Sequence, residues 1–208
     1  MRPKALIDPK SAGRNTVALD THALGTLQYI RSSIDAAGLL AVPGSAGIAM
    51  GAVGVLAALL VSLKALTVYW LQVWLVAGLV AIAFGTALMV HQVMRRGTAL
   101  YRGPLRKFLM CLCPPLLVGA VLTWQLWLRG DFALIPGIWL LMYGCAVMAA
   151  STLTRRALAV MGALLALLGI IALEVPVNLQ NAVLGFGFGG LHLLFGVLIG
   201  RGNREISP

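Results

Sequence analysis

Six uninterrupted apolar stretches dominate this sequence and leave few options for its fold. They run Ser45–Leu63, Tyr69–Val90, Phe108–Leu128, Leu134–Ser151, Ala157–Leu173 and Val183–Gly200. A helix needs about 20 apolar residues to cross the hydrocarbon core of a bilayer. The runs are continuously apolar rather than alternating, which excludes a transmembrane barrel. Only 11% of the residues are charged, against roughly 25% in a soluble domain. That leaves too little polar surface for a soluble enzyme, and too much apolar surface for a disordered chain. The expected fold is therefore all-α: a polytopic membrane protein occupying residues 41–200. Its short connections make successive helices antiparallel neighbours.

The formal net charge of +10 would suggest nucleic acid if the chain were soluble. Mapping the charges onto six spans changes that reading. Arg2, Lys4, Lys10, Arg14 and Arg31 precede the first span. Arg95, Arg96, Arg102, Arg106 and Lys107 lie between the second and third, Arg155 and Arg156 between the fourth and fifth, and Arg201 and Arg204 after the sixth. All of these fall on one side of the membrane, with Asp8, Asp20, Asp35 and Glu205. Lys64, Arg129, Asp131 and Glu174 fall on the other side and cancel. The positive-inside rule makes the basic side cytoplasmic. Both termini are then cytoplasmic, and the charge is a topology signal with no nucleic acid implied. Trp70, Trp74, Trp124, Trp127 and Trp139 all fall in the outer half, as one side of an interfacial aromatic belt would.

No cleavable signal peptide is expected, because the first forty residues lack an apolar h-region. Residues 1–16 are basic and contain Pro3, Pro9 and Gly13, which makes them irregular. Within residues 17–40, Asp20 is placed to cap a helix. Ala23, Leu24, Leu27, Ile30, Ile34 and Ala37 recur at helical spacing, opposite Gln28, Arg31, Ser32 and Asp35. Gly38 and Pro43 end the pattern. This reads as a cytoplasmic amphipathic helix. Its polar face lacks the Lys and Arg of a lipid-surface helix. Leu24, Leu27, Ile30 and Ile34 form either a face that lies on the membrane or packs under the bundle, or a docking face for a cytoplasmic or membrane protein partner. Residues 201–208 form a cytoplasmic tail.

Small residues four apart let helices approach closely in lipid. Gly47/Gly51 in the first span, and Gly185/Gly189 and Gly196/Gly200 in the sixth, have that spacing. Packing within the chain is the simpler use of them, and a homodimer is the alternative. Ala49–Leu56 weakly echoes Val160–Leu167, but apolar sequence produces such matches easily, and no inverted repeat is apparent.

Residues able to carry chemistry are few. His192 falls near the middle of the sixth span, and an intramembrane imidazole is a functional hypothesis by default. Gln125 and Glu174 lie toward the outer side, and His91 toward the cytoplasmic side. Together these four are the candidates for a solute pathway or for polar contacts between helices. His91 and His192 differ in depth by about 7 Å at 1.5 Å rise per residue, so no shared metal or haem is expected. Cys111, Cys113 and Cys145 have no zinc or disulfide spacing. No cofactor and no catalytic residue is expected. Pro114-Pro115 in the third span should kink the helix or start a new one, and a new N-terminus there would attract an anion.

Several stretches resemble a family of uncharacterised bacterial inner-membrane proteins of acidobacterial type. They are His22-Ala-Leu, Leu27-Gln-Tyr-Ile-Arg31, Ala41-Val-Pro-Gly44, Pro136–Gly144 and Gly185–Gly196. The resemblance implies six helices behind a cytoplasmic N-terminal helix, and a shared structural role for Pro43, Gly44, Pro136, Gly137 and His192. It brings no activity. Two functions compete on this reading. One is a non-enzymatic interaction or regulatory subunit that works through its basic face and N-terminal helix. The other is a small-solute transporter or channel near the sixth helix.

Overall fold

In the computed structural model, the described residues are 42–63, 65–95, 104–154 and 156–204. The amphipathic segment 17–40, with Leu24, Leu27, Ile30 and Ile34, lies outside them. The described chain is helical, and six of its segments are long and apolar enough to cross a membrane. The helices are α1 (Gly44–Ser62), α2 (Trp70–Arg95), α3 (Pro104–Arg129), α4 (Ile135–Ser151) and α5 (Arg156–Glu174). The sixth span comprises α6 (Val177–Leu184), a π-helical segment (Gly185–Leu191) and α7 (His192–Arg204).

Packing divides the spans into two sets. The first helix lies against α2, the π segment and α7, while α4 lies against α3 and α5. Leu140 of α4, Leu165 of α5 and Leu184 of α6 are fully enclosed where the sets meet. The second and third spans, α2 and α3, are the least enclosed by protein. Their outer faces carry Leu79, Ile82 and Phe84, and Met110, Leu117 and Val121, all exposed. An apolar face of this kind is at rest in hydrocarbon, which accepts it without cost.

One sequence expectation about the spans needs correction, and one of two alternatives falls away. The sixth span begins at Val177 rather than Val183, directly after Pro176. Gln180 and Asn181 make this stretch more polar than the residues that follow it. Inside the fold their amides bind backbone carbonyls, which removes the cost of burying them. The third span does not start anew at Pro114-Pro115, since α3 is one helix from Pro104 to Arg129. Proline removes its own amide donor but has a helical φ, so the neighbouring turns carry the helix across. With no helix N-terminus at that point, the anion site that a new start would have offered has no basis.

The α3–α4 connection shows local sequence chemistry at work. The Gly130 amide donates to the Trp127 carbonyl (3.2 Å) and the Asp131 amide to the Leu126 carbonyl (3.0 Å). This paired closure needs a left-handed residue, and Gly130 supplies it with φ 76°.

Candidate functional site

The polar interior is built on the sixth span, where the π segment meets α4. His192 follows that segment directly and is 3% exposed. Its Nε2 lies 2.9 Å from the Tyr143 hydroxyl on α4, and its Nδ1 lies 3.4 Å from the Gly187 carbonyl. A carbonyl can only accept, so the proton sits on Nδ1, and Nε2 accepts from the Tyr143 hydroxyl. The tyrosine and imidazole rings are also stacked, with centroids 5.4 Å apart. Phe188 of the π segment touches both rings, at 5.5 Å from Tyr143 and 6.3 Å from His192. It also touches Trp74 of α2 at 6.1 Å. The ring contacts of this centre come from α2, α4 and the sixth span, and α1 passes the His192 backbone at Gly47.

A second set of polar contacts lies toward the end of the bundle where α6 starts. Trp74 Nε1 donates to Asn181 Oδ1 (3.0 Å), and Asn181 Nδ2 donates to the Ala58 carbonyl of α1 (3.0 Å). Gln180 Nε2 donates to the Ala133 carbonyl (2.8 Å) and to the Ala172 carbonyl of α5 (3.1 Å). One dipeptide thus ties the sixth span to both sets of helices. Beside it, Trp139 Nε1 donates to Thr123 Oγ1, and that hydroxyl donates to the Gly119 carbonyl, each at 2.7 Å. Trp70 and Trp139 stack nearly parallel at 5.9 Å. Among the described residues, no buried side-chain nitrogen or oxygen lacks a hydrogen-bond partner.

The four candidate polar residues do not converge. His192 is central and buried. Gln125 on α3 and Glu174 at the end of α5 are exposed. His91 is exposed near the end of α2, where its Nε2 accepts from Arg95 Nε at 2.9 Å, one helical turn away. Given the alternating direction of the spans, His91 and Glu174 stand at opposite ends of the bundle. Among the described residues, no three His, Cys, Asp or Glu side chains gather into a possible metal site.

The candidate packing glycines do meet, and they meet within the chain. A methyl group placed on Gly47 would lie 2.9 Å from the Gly196 α-carbon. On Gly51 it would lie 2.6 Å from the Leu193 amide nitrogen, and on Gly189 2.9 Å from the Val55 nitrogen. On Gly196 it would lie 2.6 Å from the Ile48 nitrogen, and Gly200 faces Gly44. Gly185 faces the Ala58 side chain at 2.7 Å. At Gly47, Gly51, Gly189 and Gly196 backbones this close leave no room for a side chain.

The tryptophans divide differently from a uniform belt. Trp124 and Trp127 are exposed and pair with each other at 5.3 Å. Trp74 is 4% exposed, while Trp70 and Trp139 pack against the core. Sequence reasoning missed Tyr143, Phe188, Trp74, Gln180 and Asn181 as one network. The available signal was the set of hydrogen-bonding side chains inside apolar runs, each of which must find a partner away from water. Comparison with known protein families, curated proteins and solved structures finds no match for this chain.

Proposed function

We propose that this chain is a small integral protein of a bacterial inner membrane that acts as a non-enzymatic interaction or regulatory subunit. Its working surface is the basic face together with the amphipathic segment 17–40. The observation that carries this reading is the contrast between interior and ends. Among the described residues every buried side-chain nitrogen and oxygen has a hydrogen-bond partner within the chain, while Arg95, Arg106, Lys107, Arg156 and Arg201 are exposed. By the alternation of the spans these five stand at one end of the bundle, and Asp131 and Glu174 stand at the other. The positive-inside rule makes the basic end cytoplasmic. Bacterial origin rests on the resemblance described above.

The test uses tagged protein extracted from native membranes. The full chain is compared with a deletion of residues 1–40 and with a Leu24→Asp/Leu27→Asp/Ile30→Asp/Ile34→Asp variant. Protein that travels with the full chain should be lost from both variants, while membrane insertion stays intact. An unchanged set of co-purifying proteins would overturn the reading.

A solute pathway near the sixth helix is the second reading, and the intramembrane position of His192 favours it. The bonded state of both imidazole nitrogens supports a joint between helices instead. Flux into proteoliposomes that is lost on His192→Ala, with the fold retained, would favour the pathway.

A further inference from the structure

The end of the bundle that carries Asp131 and Glu174 is finished differently from the basic end. Three connections meet there: α1 to α2, α3 to α4 and α5 to α6. The first turns of α6 tie them together. Asn181 Nδ2 reaches the Ala58 carbonyl and the Ser62 hydroxyl at the end of α1 (3.0 and 3.4 Å), and Gln180 Nε2 reaches the Ala133 carbonyl in the α3–α4 connection (2.8 Å). Each connection exposes large apolar side chains. In the first, Val68 is 84% exposed and Tyr69 is exposed beside it. Phe132 and Leu134 are exposed in the second. In the third, at the opening of α6, Val177 is 67% exposed and Leu179 is exposed with it. Polar groups of these turns are bonded locally instead. The Leu66 and Tyr69 amides donate to the Leu63 and Leu66 carbonyls, and the Val175 and Leu179 amides to the Ile171 and Pro176 carbonyls. The Thr67 hydroxyl is shared between the Val61 and Leu63 carbonyls. The α4–α5 connection at the basic end has the reverse pattern: Thr152 is exposed, and Leu153 is half-buried.

Helix length fixes the depth of the apolar turns. With 19 residues, α5 is about 28 Å long at 1.5 Å per residue, and the hydrocarbon core is about 30 Å thick. With Arg156 at one headgroup layer, the α5–α6 turn lies level with the other layer rather than beyond it. Trp124 and Trp127, exposed on α3 just before Gly130, mark the same level, because tryptophan settles at the membrane–water boundary. We propose that this end is an interfacial cap. Val68, Tyr69, Phe132 and Val177 insert among the headgroups and upper acyl chains of the facing leaflet, and the turns lie in the membrane surface. An exposed apolar patch marks a surface that something covers, and depth and charge identify the lipid surface. Lys64, Arg129, Asp131 and Glu174 cancel, which leaves no net field to draw a charged partner. Backbone groups bonded to one another suit a layer poor in water. The cap leaves the basic end as the face open to a soluble partner. It is independent of the proposed partner role, because deletion of residues 1–40 removes none of these turns.

The test attaches the fluorophore NBD to single cysteines, Val68→Cys, Phe132→Cys and Val177→Cys, with Thr152→Cys at the basic end as the water-facing control. The background is C111A/C113A/C145A. Each protein is reconstituted alone in phosphatidylcholine vesicles. Quenching by a nitroxide on the upper acyl chain is compared with quenching by iodide present on both sides. At the three cap positions the emission should be blue-shifted from that at residue 152, quenched by the nitroxide lipid and spared by iodide. Iodide quenching equal to that at residue 152 would put the turns in water. Protection from both quenchers would mean that a second copy covers them. Either result overturns the proposal. In the unmodified chain, a diazirine on the same acyl position should label Val68, Tyr69, Phe132 and Val177. Absence of label from all four would also overturn it.

Discussion

The bundle contains two close helix seams, and they are built differently. One joins α1 to the π segment and α7, the first span to the last. The other joins α4 to α5, neighbours along the chain. In both, the backbones touch at glycine. Gly44, Gly47, Gly51 and Gly54 meet the sixth span, while Gly137 and Gly144 meet Gly162 and Gly169. In the first seam the glycines are spaced three and four residues apart along α1. In the second they are seven apart on each helix. A spacing of four or seven returns a residue to nearly the same helix face, so both patterns yield a flat strip. A search for glycines four apart finds only the first.

The seams also differ in polar support. The first is flanked by the contacts of His192 with Tyr143 and of Asn181 with Ala58. Close packing at Gly144 and Gly162 instead rests on neighbouring backbone and on Met148 and Ala166. Without a hydrophobic drive between helices in lipid, dispersion across small residues must supply the attraction. The first seam closes a contact between spans far apart in sequence, and its polar bonds help to fix register there. The second joins helices already tethered by a short connection, and it needs less.

The largest expected effect comes from opening either seam. A methyl on Gly144 would lie 2.6 Å from the Ala166 nitrogen, and one on Gly51 the same distance from the Leu193 nitrogen. Gly51→Ala and Gly144→Ala should each destabilise the fold by about 1–3 kcal/mol or more, measured as equilibrium unfolding in mixed detergent. If the seams are separate units, the double substitution should cost the sum of the two within about 0.5 kcal/mol. A large coupling term would show instead that they respond as one.

Next comes the polar support. Tyr143→Phe removes the hydroxyl and strands His192 Nε2, at a cost of about 1–2 kcal/mol. His192→Ala should cost more, because it also removes a buried ring packed on Phe188 and Tyr143. The same unfolding assay checks both. Equal stability of Tyr143→Phe and the native chain would mean that the hydroxyl has no role in fixing the first seam.

Asn181→Leu and Gln180→Leu should follow, each losing about 0.5–2 kcal/mol. They also separate the two helix sets. Asn181→Leu unties the Trp74 indole and removes one of the donors to the Ala58 carbonyl, and Gln180→Leu removes the donor to carbonyls on the α4 and α5 side. Hydrogen exchange should therefore rise on α1 and α2 for the first variant, and around α4 and α5 for the second.

These contacts also show how far the sequence could be read. The spans were legible because apolar length alone sets them, and the Gly47 and Gly51 face was legible because its spacing is local. The start of the sixth span was not legible, since Gln180 and Asn181 become affordable only when carbonyls from other helices reach them. Tyr143 and His192 are 49 residues apart, and no periodicity within either span announces the other. The inward turn of Trp74 was hidden for the same reason. Its partner, Asn181, lies 107 residues away, so belt and core tryptophans look alike in one dimension.

The smallest expected effect completes the comparison. Gly78 is exposed on α2, and a methyl there would meet nothing within 4 Å. Alanine is favoured over glycine inside a helix by about 1 kcal/mol, and no neighbour opposes it. Gly78→Ala should therefore leave stability unchanged or raise it by up to about 1 kcal/mol. The chemical change is the same as in Gly51→Ala and Gly144→Ala, so helix propensity cancels in the comparison and the difference reports contact alone. Destabilisation at Gly78 close to that of a seam glycine would mean that the outer face of α2 is covered, and that the membrane-embedded unit includes a neighbour on that side.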